Sequence, residues 1–331
     1  MSSRRRHANL HFMTAQRIAS LLSSSTEILY ALGLGDRVVA VSHQCDFPVV
    51  AAQKCRVTRS RIDIGNSSRG IDDQVQAMLK TQQAMYEIDL PLLVEARPDL
   101  IVTQAQCDVC AVRFDDVVAA VEKCPELSGC EILALNPTSL DDVLDDIERI
   151  GQTAGCRAAA QKLVQSYGDR IAIVQTAMKH LQPGQRPRVV AIEWIDPLMV
   201  AGNWMPGMIE MAGGMSRLGT AGIHSPYVQW EEIQQEDPEL LVIMPCGFDL
   251  ARTMHEAKWL TALSGWQDLA AVRNQRVYAV DGNAYFNRTG PRMVESLELL
   301  AHLIHPALQE APGDCQPGRD FAIVDLCSHG E

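Results

Sequence analysis

The chain has 331 residues, 47% of them hydrophobic, which is enough for one large α/β domain or two ordinary ones. Its formal net charge of -12 argues against nucleic acid as a partner, because a phosphate-binding surface needs clustered Lys and Arg. No run approaches the roughly 20 apolar residues that span a bilayer, so the chain is expected not to be membrane-spanning.

In chain order, residues 1–16 read as a disordered N-terminal extension around Arg4-Arg5-Arg6. An apolar signal core with a small-residue cleavage site is not found there, and no Cys precedes Cys45 to carry a lipid. The sequence therefore predicts a cytoplasmic protein. Residues 17–22 are the first of six short Val/Ile/Leu strands, followed by 38–41, 100–103, 189–192, 240–244 and 277–280. Fully apolar strands separated by helical stretches are what a parallel sheet covered on both faces requires. Each runs into a loop carrying Cys, His, Asp, Glu or an aromatic residue. Ligands of such sheets sit outside the carboxyl ends of the strands, so these loops are expected to gather at one site.

A weak internal repeat divides the chain. Arg97-Pro98-Asp99-Leu100-Ile101-Val102 is echoed by Asp237-Pro238-Glu239-Leu240-Leu241-Val242, and Arg37-Val38-Val39-Ala40-Val41 by Arg276-Val277-Tyr278-Ala279-Val280. Between the halves, Ser139-Leu140-Asp141-Asp142 opens a helix with a capping-box-like start. A second helix over 157–181 has apolar positions at Leu163, Val164, Tyr167, Ile171, Val174 and Met178, and Pro183-Gly184 stops it. The fold class expected is α/β: two doubly wound α/β lobes joined by a long backbone helix, with a ligand cleft between them. The predicted boundaries are 17–138 for the first lobe, 139–184 for the connecting helices and 185–310 for the second lobe. Residues 311–331 form a tail to which the sequence assigns no role.

This order of segments resembles the substrate-binding proteins of cobalamin and iron-siderophore ABC importers. The resemblance covers residues 17–306. It rests on Arg17-Ile18-Ala19-Ser20-Leu21-Leu22-Ser23-Ser24-Ser25-Thr26-Glu27 and the helix after it, and on Arg97-Pro98-Asp99-Leu100-Ile101-Val102. Ala201-Gly202, Ala212-Gly213-Gly214 and the closing Arg276-Val277-Tyr278-Ala279-Val280 complete it, and these suit the cobalamin-binding branch better. The resemblance implies two lobes on a rigid helix, a largely preformed cleft, a small-molecule metal chelate as ligand and ABC transporter components as partners.

Two features depart from a plain vitamin-capture protein: the absent export signal and a Cys/His set in the cleft loops. Cys107 and Cys110 form a CxxC after a strand and before a helix, where a helix N-terminus favours thiolate. His43 and Cys45 end another strand of the same lobe. Together the four suit zinc, an iron–sulfur cluster, haem iron or cobalt, or else a redox dithiol, or they are inert loop thiols. Cys246 faces them from the second lobe or is a buried small residue.

Flat aromatic side chains with polar tips suit a corrin or porphyrin rim, and Trp194, Trp204, Tyr227, Trp230, Phe248 and Tyr285-Phe286 fall in or beside the loops. Charged candidates are Asp46, Glu193, Asp249, Asp281 and Arg288. Arg59 and Arg61 either reach a nucleotide loop or pair with Asp63 or Asp72. Ser25 or Thr26 is expected to cap the first helix, whose free N–H groups suit a ligand's polar edge. No G-x-S-x-G elbow, Walker loop, H-E-x-x-H or Rossmann fingerprint occurs. The leading expectation is non-catalytic binding of cobalamin or a related corrinoid through Ser25, Asp46, Glu193, Trp194, Trp204, Phe248, Tyr285 and Arg288. The alternatives are a metal- or redox-active protein using Cys45, Cys107 and Cys110, and a partner-binding module without a small ligand.

Overall fold

A computed structural model of the chain describes residues 14–105, 109 and 111–324. The first lobe runs through β1 (Ile18–Ser20), α1 (Ser23–Ala31), β2 (Val38–Val41), β3 (Cys55–Arg56), β4 (Thr58–Ser60), α2 (Ser68–Lys80), β5 (Tyr86–Ile88), α3 (Leu90–Ala96), β6 (Leu100–Gln104), α4 (Phe114–Lys123) and β7 (Glu131–Leu135). Its five-stranded sheet is parallel throughout, in the order β3-β2-β1-β6-β7. The chain winds outward from β1 in both directions, so the switch point lies between β1 and β6. Among the described residues β4 and β5 pair only with each other, antiparallel, outside the main sheet.

After α5 (Leu140–Thr153) and α6 (Arg157–Met178), the second lobe runs through β8 (Arg188–Trp194), β9 (Met199–Val200), α7 (Met205–Met211), β10 (Met215–Ser216), α8 (Trp230–Glu236), β11 (Leu240–Ile243), α9 (Leu250–Thr261), α10 (Ala270–Arg273), β12 (Val277–Val280), α11 (Met293–Ile304) and β13 (Phe321–Ile323). Its sheet order is β10-β8-β11-β12-β13, with β13 antiparallel at the edge. This order reverses between β8 and β11, giving a second switch point. The tail thus supplies the last strand. Cys315, 5% exposed, pins it into the core.

The sequence repeat corresponds to a structural one. Arg97 and Asp237 end α3 and α8 in the left-handed region, at φ 46 and 41, and each turns the chain into the strand beside its lobe's first. In the first lobe Asp99 accepts the backbone N–H of Arg17 at 2.9 Å, and the Arg17 guanidinium donates to the Ala96 carbonyl at 2.6 Å. In the second lobe Glu239 accepts the N–H of Arg188 at 3.0 Å, and the Arg188 guanidinium donates to the Asp237 carbonyl at 2.7 Å. The same Arg-to-turn lock therefore sets the start of each lobe's first strand.

α5 opens on the expected capping box: the Ser139 hydroxyl accepts the Asp142 N–H at 3.1 Å, and the Asp142 carboxylate accepts the Ser139 N–H at 2.9 Å. α6 has 22 residues, about 33 Å at 1.5 Å per residue, and buries Ala160, Tyr167, Ile171, Val174 and Met178. It packs against α5 on one side and α11 on the other, and Arg170 donates to Glu298 at 2.7 Å. One hydrophobic cluster runs from Ile18 and Ile147 through Val174 to Val189 and Leu300, so the lobes share a core at their base.

Asp146 on α5 is an internal weak point. One carboxylate oxygen accepts from Arg149 at 2.7 Å; the other is buried with no partner among the described residues. Burial, offset in part by Arg149, pushes this carboxyl up to about 6. A folded value above the unfolded one, near 3.9, means that the folded state binds the proton first, so stability rises as pH falls from 6 towards 4. Asp146→Asn is therefore expected to stabilise the protein by about 1 kcal/mol at pH 7, after a discount for the half-exposed Arg149 partner, and by almost nothing at pH 4. Urea midpoints at the two pH values check this, and a loss of stability at pH 7 would contradict it.

Candidate ligand-binding cleft

The two switch points face each other across a cavity of about 150 Å³. Ser23 and Ser24 reach it from the end of β1, Gln44 from the loop after β2 and Gln104 from the end of β6. Opposite stand Glu193 at the end of β8, Cys246 and Gly247 after β11, and Asn283, Asn287, Arg288 and Thr289 after β12. Asn203, Trp204 and His224 complete the second wall. A larger cavity of about 460 Å³ lies between α11 and β13 and is lined by Leu303, Pro306 and Phe321 among others, all from the second lobe. We take the smaller one as the site because polar groups from both lobes converge there at the strand ends.

α1 explains why two serines and not the expected pair reach the cavity. Its N-cap is Leu22, without a side-chain cap, so Ser25 and Thr26 lie inside the helix rather than at its start. Both are fully buried: Ser25 donates to the Leu22 carbonyl at 2.9 Å, and the Thr26 hydroxyl meets the Cys45 thiol at 3.0 Å. Ser23 and Ser24, two residues earlier at the first turn, are the ones presented.

One turn further along α1, Glu27 anchors the cleft floor. Its side chain is 1% exposed and accepts from Arg292 at 2.6 Å and from Arg288 at 3.2 Å. Arg288, itself 6% exposed, also grips Asp46 at 2.5 Å. Asn283 links Asp46 and Arg288. Burial alone would raise the Asp46 carboxyl, but the bonds from Arg288 outweigh it and hold it below the usual carboxylate range. The network joins first-lobe acids to second-lobe bases.

The second wall is held by one close approach. A Cβ on Gly202 would stand 2.3 Å from the Ile223 carbonyl oxygen, so only glycine lets these backbones meet. That contact places Ser225, whose hydroxyl accepts the Gly202 N–H at 2.9 Å and donates to Glu193 at 2.7 Å. Burial pushes the Glu193 carboxyl up, with Ser225 opposing. Cys246 has exposed surface in the cleft yet is ringed by protein; that enclosure and the charge of Glu193 push its thiol up to about 12. The His224 Nδ1 sits 3.0 Å from the Ser225 carbonyl, so Nδ1 carries the hydrogen. Trp204 donates to the Phe286 carbonyl at 2.6 Å.

Other expected site residues lie elsewhere. Trp194 and Phe248 pack together, ring centroids 5.2 Å apart, under Ile62, Ile71 and Met85 of the first lobe. Tyr285 is buried behind the floor, where burial and a hydrogen bond with Cys315 raise its hydroxyl. His43 and Cys45 turn apart and form no joint metal site: the His43 Nδ1 meets the Thr58 hydroxyl at 2.8 Å, whereas Cys45 is fully buried beside Thr26 and Ser42. Burial lowers His43 and raises Cys45. Cys107 and Cys110 lie outside the described residues. Among the described residues, no three His, Cys, Asp or Glu side chains converge on a metal position. Arg59 and Arg61 pair with Glu87 across the β4–β5 ribbon rather than with Asp63 or Asp72.

The cavity is below the roughly 300 Å³ at which sites for larger organic ligands begin, so the expectation of a preformed cleft is not met. The liners that the sequence reading missed are polar residues such as Gln44, Asn203, His224 and Asn287. Their one signal was position, in the loops that follow a strand or a glycine turn.

Two facing α/β switch points on a shared helical base define a two-lobed ligand-binding protein. The profile of the periplasmic binding protein family matches residues 18–284, and the chain belongs to that family. It is a binding protein, not an enzyme. An ABC transporter substrate-binding lipoprotein of Bacillus subtilis is 26% identical over 296 residues, spanning 88% of this chain and 80% of the relative. The vitamin B12-binding protein of Vibrio cholerae is 24% identical over 291 residues, spanning 86% of this chain and 87% of the relative. The apo form of the periplasmic haem-binding protein of a Roseiflexus species superposes with a TM-score of 0.65 at 21% identity, covering 89% of this chain and all of that one. These kin overturn the expectation of a cytoplasmic protein, since they are a lipoprotein and periplasmic binding proteins. Among the described residues no helix is long and apolar enough to cross a membrane.

Proposed function

We propose that the protein captures a corrinoid between its lobes and hands it to an ABC importer. The observation that carries this is the chemistry of the lining. Gln44, Gln104 and Asn203 supply carboxamides, Ser23, Ser24 and Thr289 supply hydroxyls and Glu193 a carboxyl, while Asn283 and Asn287 brace the loop that carries them. The guanidinium among these described liners, that of Arg288, is already shared by Glu27 and Asp46. A corrin periphery is rich in carboxamides, which pair with amides and hydroxyls without added charge. Haem carries two carboxylates, and a buried carboxylate needs a cation or a cluster of donors. The kinship to a vitamin B12-binding protein supports the same choice.

The test is a pair of UV–visible titrations, one with hydroxocobalamin and one with hemin. Hydroxocobalamin is expected to saturate at least tenfold more tightly. Tighter hemin binding, or no corrinoid binding, overturns the reading. Trp204→Ala is expected to weaken hydroxocobalamin binding about tenfold, equivalent to about 1.4 kcal/mol. Unchanged affinity in that variant would count against Trp204 as a wall of the site.

A further inference from the structure

The lobes are tied together twice, and the ties differ in kind. At the floor the tie is buried: Glu27 and Arg288 are 1% and 6% exposed, next to the shared base core. The second tie lies beside the cavity, next to its liners Glu193 and Gly247, where an arm of the first lobe, residues 58–88, reaches across to the second. Ile62, Ile71 and Met85 of this arm cover Phe248, with Trp194 at the edge. Its polar ties are mostly peripheral, apart from those of buried Ser68, whose carbonyl accepts from the Trp194 indole at 3.3 Å. Arg69 pairs with Asp196 although its side chain is 52% exposed, and Tyr227, 50% exposed, donates to Asp72 at 2.8 Å. Ser68 donates to Glu256 at 2.9 Å, and Arg252, lying over the Phe248 ring, donates to the Ile64 and Asn66 carbonyls.

The arm is also built to move as a unit. Among the described residues β4 and β5 pair with each other and not with the main sheet, and the arm's side-chain ties to its own lobe are few, Thr58 to His43 and Tyr86 to the Val109 carbonyl among them. Its two ends meet where Asp89 donates to the Val57 carbonyl at 2.8 Å. Within α2 only Ser68 and Ile71 are buried. Exposed ion pairs each stabilise little, and segments with few buried contacts open before the core does.

We propose that residues 58–88 form a hinged cover, which swings out at Val57 and Asp89 while the floor stays closed. The cavity of about 150 Å³ must widen to admit a chelate, and the arm beside it yields before the buried floor. Opening bares Trp194 and Phe248, which then become part of the cargo wall; this last step rests on the corrinoid reading.

Hydrogen exchange on the unliganded chain tests the cover without any ligand. In the wild type, α2 amides are expected to exchange at least tenfold faster than those of α6. In Arg252→Ala/Glu256→Ala, exchange within 58–88 should rise a further fivefold or more, with α5 and α6 unchanged. Equal protection of α2 and α6, or acceleration spread over both lobes, overturns the proposal. Stopped-flow association with hydroxocobalamin should be at least fivefold faster in the double variant. Saturable binding at an unchanged rate also overturns it. Failure of both proteins to bind removes the corrinoid reading alone, and the exchange result then decides the cover.

Discussion

Replacing Glu27 with Gln is expected to lower the unfolding free energy by about 3–5 kcal/mol, because breaking a buried ion pair strands its partner's charge. Glu27 is 1% exposed and holds Arg292 through both carboxylate oxygens, at 3.0 and 2.6 Å. Arg288 keeps Asp46 and Asn283 after the change, so the stranded cation is Arg292. Among the described residues the rings of Phe47 and Tyr285, with centroids 4.2 and 5.7 Å from its guanidinium carbon, then face it, and the Asp46 and Glu295 carboxylates act on it only through charge, without a hydrogen bond. Cation–π contact is worth about 0.5–2 kcal/mol and does not replace the carboxylate. Urea unfolding of the two proteins gives the difference directly. A loss below 1 kcal/mol would mean that the floor does not depend on this acid. The pH dependence has a definite sign. Asp46 sits below its unfolded value near 3.9, so its contribution is complete above that value and is lost only as pH falls through its folded one. The floor therefore persists in mild acid.

Gly282→Ala is expected to cost about 1–3 kcal/mol in stability and at least tenfold in hydroxocobalamin affinity. An added Cβ would stand 2.2 Å from the Pro245 carbonyl oxygen and 2.9 Å from the Met244 carbonyl carbon, so two backbones must part. The strain falls on the site itself. Asn287 donates to the Met244 and Gly282 carbonyls, both at 2.9 Å, and thereby fastens the loop after β12 to the loop after β11. Pushing them apart moves Cys246, Gly247, Asn283 and Asn287 together, all of which line the cavity. Gly247→Ala, at φ 77 with nothing within 4 Å of a new Cβ, controls for the backbone cost in stability alone. Gly247 itself lines the cavity, so Gly129→Ala is the second control: Gly129 has φ 86, nothing within 4 Å of a new Cβ and no place in the cavity lining, so it bears only the backbone cost, about 1–2 kcal/mol, with affinity unchanged. Equal affinity in the Gly282 variant and the wild type would show that these loops are not the cargo wall.

What the sequence discloses here follows from the range of each interaction. The strands at 38–41 and 277–280 are set by local apolar runs, and α5 by a capping box within four residues; all stand where they were expected. The repeated Arg/Pro/Asp and Asp/Pro/Glu turns were legible because each acts through its own neighbours. Side-chain destinations were not. Trp194 and Phe248 follow strands as ligand-facing residues do, yet their partners are Ile62, Ile71 and Met85, more than 100 positions earlier. Arg59 was weighed against nearby Asp63 and Asp72, whereas its partner Glu87 is opposite it in the β4–β5 register, a pairing that only ribbon geometry reveals. His43 and Cys45 are two residues apart and looked like a pair of donors. The turn after β2 sends one to Thr58 and the other into the core.

The position of β13 bears on how the protein is made. All five strands of the first sheet lie between Ile18 and Leu135, so that sheet is complete early in synthesis. The second sheet waits for Phe321–Ile323, and until those residues emerge β12 presents an unpaired edge on that side. An open edge of this kind is where strands of other chains add. Vectorial synthesis thus gives the lobes different exposures: the first folds behind a finished sheet, and the second stays open to mispairing until nearly the whole chain has emerged.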